Sequence, residues 1–194
     1  QISDFNNAKQ KYEIKSHKLM PREYKTRVEM NRLIKKYVNV KKNILQELNE
    51  VTKDFSDNTL GVHIRMTDKH NCTSHGEPIT GRPINIDLYV THIENYLLEN
   101  KNSKIYLATD DEECLKRMTH EFGDSLIYRD VIRSSGEKSI HHHMKGNNYL
   151  KGKQVLLDCL SLSKCDHIIK GISNVALCSM FFNLNLTDTN LNSI

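Results

Sequence analysis

The sequence contains no tryptophan, only three prolines, and no apolar run long enough to cross a membrane. Apolar residues make up 38% of its 194 residues and the mean hydropathy is −0.59, which indicates a modest core with polar surroundings. A transmembrane helix needs about 18 or more consecutive apolar residues. We therefore expect no membrane span in this chain.

Two glycine-rich nucleotide motifs are also missing. The sequence has neither a GxGxxG turn nor a Walker lysine loop. These motifs bring backbone amides onto phosphates in dinucleotide-binding proteins and P-loop hydrolases. Their absence disfavours both classes.

A strong excess of one charge is absent as well. The chain has 28 basic and 24 acidic residues, a formal net charge of +4. Such a mild surplus can help to hold an anionic ligand but does not indicate a nucleic-acid-binding surface. Its five cysteines are odd in number and form no CxxC pair, so we expect reduced, mostly buried thiols.

From residue 59 onward, short apolar runs alternate with helical patterns, which is typical of βα units around a parallel sheet. The fold class is therefore α/β, a Rossmann-like parallel sheet flanked by helices. We predict a helical extension over residues 1–58, a nucleotide-sugar-binding domain over 59–194, and within it a polar tail from 184 that packs little. The strands are expected at 60–64, 104–109, 125–129 and 166–170, and the helices at 85–100, 111–122, 152–165 and 173–183.

Polar residues gather where the predicted strands end. The first strand is followed by Arg65, Asp68 and Lys69, with His63 inside it; the second by Asp110 and Asp111; the fourth by Ser173 and Asn174. The carboxyl ends of parallel strands meet at one edge of a sheet, where helix N-termini present unpaired N–H groups. An arginine there can make two parallel hydrogen bonds to a phosphate, so the pattern suits a nucleoside diphosphate.

Three segments, taken together, resemble a known family. "GVHIRMTDK" is similar to the HxRxxDK motif of the fucosyltransferase superfamily, which contains core α1,6-fucosyltransferases, nodulation fucosyltransferases and protein O-fucosyltransferases. "KIYLATDDEECLKRM" and "KGKQVLLDCLSLSKCDHIIKGISNVA" resemble two further motifs of that superfamily, in the same order. The resemblance implies the C-terminal, GDP-fucose-binding half of a GT-B glycosyltransferase. It also implies an inverting transfer to a glycan or peptide hydroxyl, without cofactor or divalent metal.

The resemblance also implies roles for individual residues. Arg65 matches the arginine that contacts the donor pyrophosphate, and it forms the catalytic set with Asp68 and Lys69. His63 matches a donor-contacting histidine, and Asp158 matches an aspartate that reads the guanine edge. The remaining donor-binding positions are Asp110, Asp111, Ser173 and Asn174.

The sequence departs from the family pattern at several positions. Thr73 stands where core fucosyltransferases carry a glutamate proposed as the acceptor-side base, and Glu77 could replace it only through a longer loop. Met66 stands in place of a second arginine. Because only about 58 residues precede the first motif, the expectation is a donor-binding half, with the N-terminal segment a remnant or edge of the acceptor side.

Each candidate residue also has a structural alternative. Arg65 could form an ion pair with Asp68 or Asp110, and His63 could be a core histidine. Helix capping would explain at least one of Asp110 and Asp111. Asp158 lies in an apolar helix and therefore needs either a ligand or a buried partner.

Three consecutive histidines in "SIHHHMK", residues 139–145, do not predict a metal site, because adjacent side chains in an extended segment point in alternating directions.

The leading hypothesis from the three motif segments is a fucosyltransferase that uses GDP-fucose. A GDP-sugar-binding module without catalysis is the main rival, and a structural domain without a nucleotide is a third possibility.

Overall fold

The structure is a computed structural model that describes residues 24–66, 84–134 and 147–193, and the backbone of two short strands between 73 and 78. Its helices are α1 (Tyr24–Tyr37), α2 (Lys42–Thr52), α3 (Ile86–Glu99), α4 (Glu112–Phe122), α5 (Asn148–Leu162) and α6 (Asn174–Phe182). Its strands are β1 (Thr59–Ile64), β2 (Thr73–Ser74), β3 (Glu77–Pro78), β4 (Lys104–Thr109), β5 (Leu126–Tyr128), β6 (His167–Lys170) and β7 (Thr187–Asn190). Single 3-10 turns occupy Gly123–Ser125 and Leu191–Ser193.

Five of these strands form one parallel sheet in the order β5-β4-β1-β6-β7. The chain first adds β4 and β5 on one side of β1 and then β6 and β7 on the other. The strand order therefore reverses beside β1, the position at which open α/β sheets bind their ligands. This arrangement confirms the predicted Rossmann-like fold.

The sheet separates two apolar layers. Leu60, Val62 and Ile64 of β1 belong to the cluster that includes α3 and α4. Tyr106 and Ala108 of β4 belong instead to the cluster that includes α5 and α6. Successive side chains of a strand alternate between the two faces of the sheet. A buried strand therefore contributes side chains to both layers.

Gly61 lets α5 approach β1 closely. A Cβ at this position would lie 3.2 Å from both Cys165 Sγ and Leu162 Cδ2. His63, two residues further along β1, therefore lies on the α5 side of the sheet. The sequence pattern identified the strand but not this close contact.

Polar contacts attach α1 to the α/β layers. Arg27 Nη2 donates to the carbonyl oxygens of Asn183, Leu184 and Leu186 at 2.9 to 3.2 Å, beyond the end of α6. Asn31 is buried, and its Nδ2 donates to the Phe181 carbonyl over 2.6 Å. The bond to Phe181 satisfies one of the carbonyl groups that a helix end leaves without partners. The predicted division at residue 58 stays a prediction.

The expectation that residues 184–194 form a loosely packed tail was wrong. Residues 187–190 form β7, which pairs with β6 at the edge of the sheet. Leu186 and Leu191, on either side of this strand, are both buried. The polar strand lacks an apolar pattern, and backbone pairing together with these two flanking leucines holds it in place.

Helix α5 begins at Asn148, earlier than the expected start at residue 152. The Asn147 side chain accepts a hydrogen bond from the Leu150 amide over 3.0 Å and so caps the helix.

Among the described cysteines, Cys114, Cys159 and Cys165 are buried, Cys178 is exposed, and all four are free thiols. This agrees with the expected reduced state. In the described ranges, no helix has the length and apolar character needed to cross a bilayer.

Candidate functional site

A cavity of about 100 Å³ opens at the carboxyl ends of β1 and β4, on the α5 side of the sheet. Its walls come from the two strand ends, from the segment after β5, and from α5 and the start of α6. The lining residues are His63, Ile64, Arg65, Ala108, Thr109, Asp110, Val131, Ile132, Lys151, Gln154, Val155, Asp158 and Val175. Four of the predicted site residues therefore share one cavity: His63, Arg65, Asp110 and Asp158.

His63 occupies the strand nearest the reversal of strand order. It is 7% exposed, and its Cα neighbours across the sheet are Ala108 of β4 and Lys170 of β6. Burial in a central strand agrees with a core histidine, and its place in the cavity wall agrees with a ligand contact. Its position is thus compatible with both sequence-based alternatives.

Arg65 is the first residue after β1, and its backbone is held at the mouth of the cavity. The neighbouring Met66 amide donates to Asp110 Oδ1 over 3.0 Å. The Asp110 carbonyl in turn accepts the Ser134 amide over 2.9 Å. Asp110 therefore ties together the ends of β1 and β4 and the segment after β5.

Asp111, by contrast, is a helix cap. Its Oδ1 accepts the Cys114 amide over 2.7 Å at the start of α4. It is not among the described residues that line the cavity. The capping alternative accounts for this residue, while its assigned role in donor binding stays a prediction.

Ser173 and Asn174 lie at the start of α6. The Ser173 hydroxyl accepts the Val175 amide over 3.2 Å, so it caps the helix, and Asn174 is exposed. Val175 reaches the cavity, whereas the two predicted residues are not part of its described lining. The positive end of the α6 dipole is nevertheless near the cavity, a favourable place for an anion.

Asp158 has the buried partner that its apolar helix required. Its Oδ1 accepts from Arg129 Nη2 over 2.7 Å, from Arg129 Nε over 3.2 Å and from the Tyr106 hydroxyl over 3.1 Å. The Arg129 side chain is 9% exposed and Tyr106 is fully buried. Asp158 also lines the cavity with 24% of its side chain exposed, so a structural and a ligand-binding role coexist.

Burial and charge act in opposite directions on this cluster. Desolvation raises the pKa of Asp158, and the Arg129 guanidinium and the Tyr106 hydroxyl oppose that rise. For Arg129, desolvation lowers the pKa, but the charges and hydrogen bonds of Asp158 and Tyr106 together outweigh it and the net shift is upward. The arginine is therefore the group that favours a charged carboxylate at the cavity wall.

Several lining residues were not predicted from the sequence. Arg129, which bonds Asp158 but is not itself part of the described lining, was not predicted either. It follows β5, so the rule that selected the ends of the other strands could have found it. Four lining residues are spaced along one face of α5: Lys151, Gln154, Val155 and Asp158. Of these four, the family motif assigned a role only to Asp158. Their proximity to β1 depends on the packing of α5.

Some predicted residues lie outside the described part of the chain. These are Asp68, Lys69 and the histidine run at 139–145, and the side chains of Thr73 and Glu77 are likewise not described. Within the described ranges, no group of three or more histidine, cysteine or acidic side chains could hold a metal ion.

Residues 21–190 match the family described as alpha-(1,6)-fucosyltransferase N- and catalytic domains. The chain belongs to this family. The match includes all three segments that resembled the fucosyltransferase superfamily, and it also covers α1 and α2. No curated protein sequence matches the chain.

Solved structures of fucosyltransferases share the fold. The NodZ alpha-1,6-fucosyltransferase soaked with GDP-fucose superposes with a TM-score of 0.53 at 15% identity, over 80% of this chain and 46% of that one. POFUT1 in complex with GDP-fucose superposes with a TM-score of 0.51 at 8% identity, over 87% of this chain and 50% of that one. The chain thus spans about half the length of these structures.

Proposed function

We propose that this member of the family binds GDP-fucose at the cavity and transfers fucose to an acceptor hydroxyl. The observation that carries the proposal is the meeting of His63, Arg65, Asp110 and Asp158 in one cavity at the carboxyl end of the sheet. His63 and Arg65 come from the end of β1, Asp110 from the end of β4 and Asp158 from α5. Family membership makes a nucleotide sugar the ligand of choice for such a site.

The chemistry would follow from the charges around the cavity. Arg65 would pair with the diphosphate, and its positive charge would gain in value as GDP leaves with negative charge. Lys151 adds a second cation to the wall. The carboxylate of Asp158 would accept hydrogen bonds from the guanine edge, whose N1–H and 2-amino group are adjacent donors.

The finer points rest on the family resemblance. Transfer would invert the anomeric centre and would need neither a divalent metal nor another cofactor, because arginine charge takes the place of the metal. Asp68 and Lys69 would complete the catalytic set beside Arg65. The acceptor would be a glycan or peptide hydroxyl, and the general base is unassigned.

A second candidate is a GDP-sugar-binding module without turnover. Met66 favours it, because this residue replaces the second arginine of the family motif and its side chain packs against the apolar cluster of β1, α3 and α4. It therefore contributes no cation to the cavity. Thr73, in place of the expected glutamate, points the same way.

Two measurements on the 194-residue chain separate these candidates. Thermal unfolding with GDP-, UDP- and ADP-linked sugars reports nucleotide choice, because a ligand that binds the native state raises the unfolding temperature. Selective stabilisation by GDP-fucose and GDP supports both candidates, and stabilisation by UDP-sugars instead contradicts both. Release of GDP from GDP-fucose with a glycan or peptide acceptor then distinguishes the enzyme from the binding module.

A further inference from the structure

Asp158 uses only one of its two carboxylate oxygens for its described hydrogen bonds. All the described hydrogen bonds to its carboxylate end on Oδ1: two from Arg129 and one from the Tyr106 hydroxyl. A carboxylate oxygen has two lone pairs. Three donors therefore saturate Oδ1, and Oδ2 is the oxygen that can accept from a ligand.

Arg129 is fixed more firmly than a surface arginine. Its Nη2 donates to the Gln154 carbonyl over 2.6 Å as well as to Asp158, and its Nε also contacts the Tyr106 hydroxyl at 3.3 Å. The Arg129 carbonyl accepts from Arg133 Nη2 over 2.7 Å. Arg129 is thus bonded to α5 at two positions one turn apart, and this sets the rotamer of Asp158 at the cavity wall.

We infer that Arg129, with the Tyr106 hydroxyl, is a positioning residue for nucleobase recognition: it holds Asp158 Oδ1 so that Oδ2 alone reads the base. This inference rests on the proposed function and adds to it the residue that orients the carboxylate proposed to read the base. A carboxylate oxygen accepts the N1–H of guanine but repels the lone pair at N1 of adenine. The cluster therefore favours GDP over ADP.

The ratio of the dissociation constants of ADP and GDP isolates this effect. The two nucleotides share ribose and diphosphate, so contacts to those parts cancel in the ratio. In Arg129→Gln the carboxylate loses its cationic partner and takes up a proton more readily. We expect the preference for GDP to fall about tenfold to a hundredfold, the range for a charge-assisted hydrogen bond.

A pH profile distinguishes positioning from a merely structural role. The ratio of the ADP and GDP dissociation constants should fall in Arg129→Gln as the pH is lowered from 8 to 6, whereas that of the wild type should stay nearly constant. Titration of the shared diphosphate, or of His63 in the cavity wall, affects both nucleotides and cancels in this ratio. Lys153→Gln is the matched control, because Lys153 is on the same helix and pairs with Glu47 of α2 over 3.0 Å, away from the described cavity wall. It also removes one positive charge and should leave the ratio unchanged.

Two milder variants cover the case in which Arg129→Gln does not fold. Arg129→Lys keeps the positive charge but loses the planar guanidinium group, which donates to Asp158 through both Nη2 and Nε. Tyr106→Phe removes one donor to Oδ1. Each should reduce the GDP preference by about threefold to tenfold. If every folded variant keeps the wild-type ratio and pH profile, the inference fails while the proposed function stands. If the wild-type chain does not prefer GDP, both fail.

Discussion

Met66 donates its backbone N–H to the Asp110 carboxylate over 3.0 Å, which links the residue after Arg65 to the residue after β4. The bond joins two strand ends that are far apart in sequence. It fixes the backbone of Arg65 at the mouth of the cavity without using the arginine side chain. Positioning of this kind determines whether a phosphate meets the guanidinium in a productive geometry.

Replacing Asp110 should therefore weaken nucleotide binding according to whether an acceptor oxygen remains. In Asp110→Ala the Met66 amide loses its partner, and we expect GDP affinity to fall about tenfold. Asp110→Asn keeps an amide oxygen of the same shape and should cost less. Calorimetric titration with GDP measures both. Equal losses in the two variants would show that charge, and not this bond, is what matters.

Arg65→Ala should remove the cation proposed to neutralise the diphosphate. We expect GDP affinity to decrease about tenfold to a hundredfold, the value of a charge-assisted pair. Arg65→Lys should recover part of the loss, because a lysine keeps the charge without the planar fork. The exposed Lys116→Gln, on α4, is a control for the removal of one positive charge. Unchanged GDP binding in Arg65→Ala would refute the assigned role.

Two glycines should respond to alanine in opposite directions. A Cβ at Gly171 would lie 2.8 Å from Ile84 Cδ1 and 3.2 Å from the Tyr89 hydroxyl, so Gly171→Ala should destabilise the fold by about 1–3 kcal/mol. Gly152, exposed in α5, has nothing within 4 Å of its added Cβ. There Gly152→Ala should stabilise by about 0.5–1 kcal/mol through helix propensity. Urea unfolding measures both changes, and a neutral Gly171→Ala would contradict the close packing.

His167 should make the stability of the fold depend on pH. Its ring nitrogens contact the hydroxyls of Thr187 at 2.7 Å and Thr189 at 2.9 Å, and desolvation lowers the pKa of His167. Because the unfolded state then binds a proton more readily, the contribution to stability is present above the unfolded pKa, about 6.5. It is lost as the pH falls from there through the folded pKa.

The comparison of His167→Gln with the wild type isolates this contribution. Urea unfolding between pH 7.5 and 5 should show a smaller loss of stability in the variant than in the wild type. His120→Gln, which removes an exposed histidine of α4, should follow the wild-type profile. Parallel profiles for the wild type and His167→Gln would exclude His167 as the titrating group.

Much of the fold could be predicted from the sequence, because a buried strand or helix face shows a local pattern of apolar residues. The strand "KIYLAT" was found with its observed bounds, Lys104–Thr109, since a strand covered on both faces is apolar almost throughout. The ends of β1 and β4 followed from the same pattern. With them came three of the residues that share the cavity, His63, Arg65 and Asp110, because the carboxyl ends of parallel strands meet at one edge.

Only the tertiary structure decided which polar groups become partners. Asp158 and Arg129 are 29 residues apart, and nothing in either segment specifies that one carboxylate oxygen is bonded and the other is not. Likewise, β7 is polar and joins the sheet through backbone pairing with β6, which has no sequence period of its own. Burial of an apolar side chain is favourable whichever apolar groups surround it, so the pattern of apolar residues within one segment is enough to predict which of them are buried. A hydrogen bond depends on the distance and direction between two particular atoms, which the packing of distant segments sets.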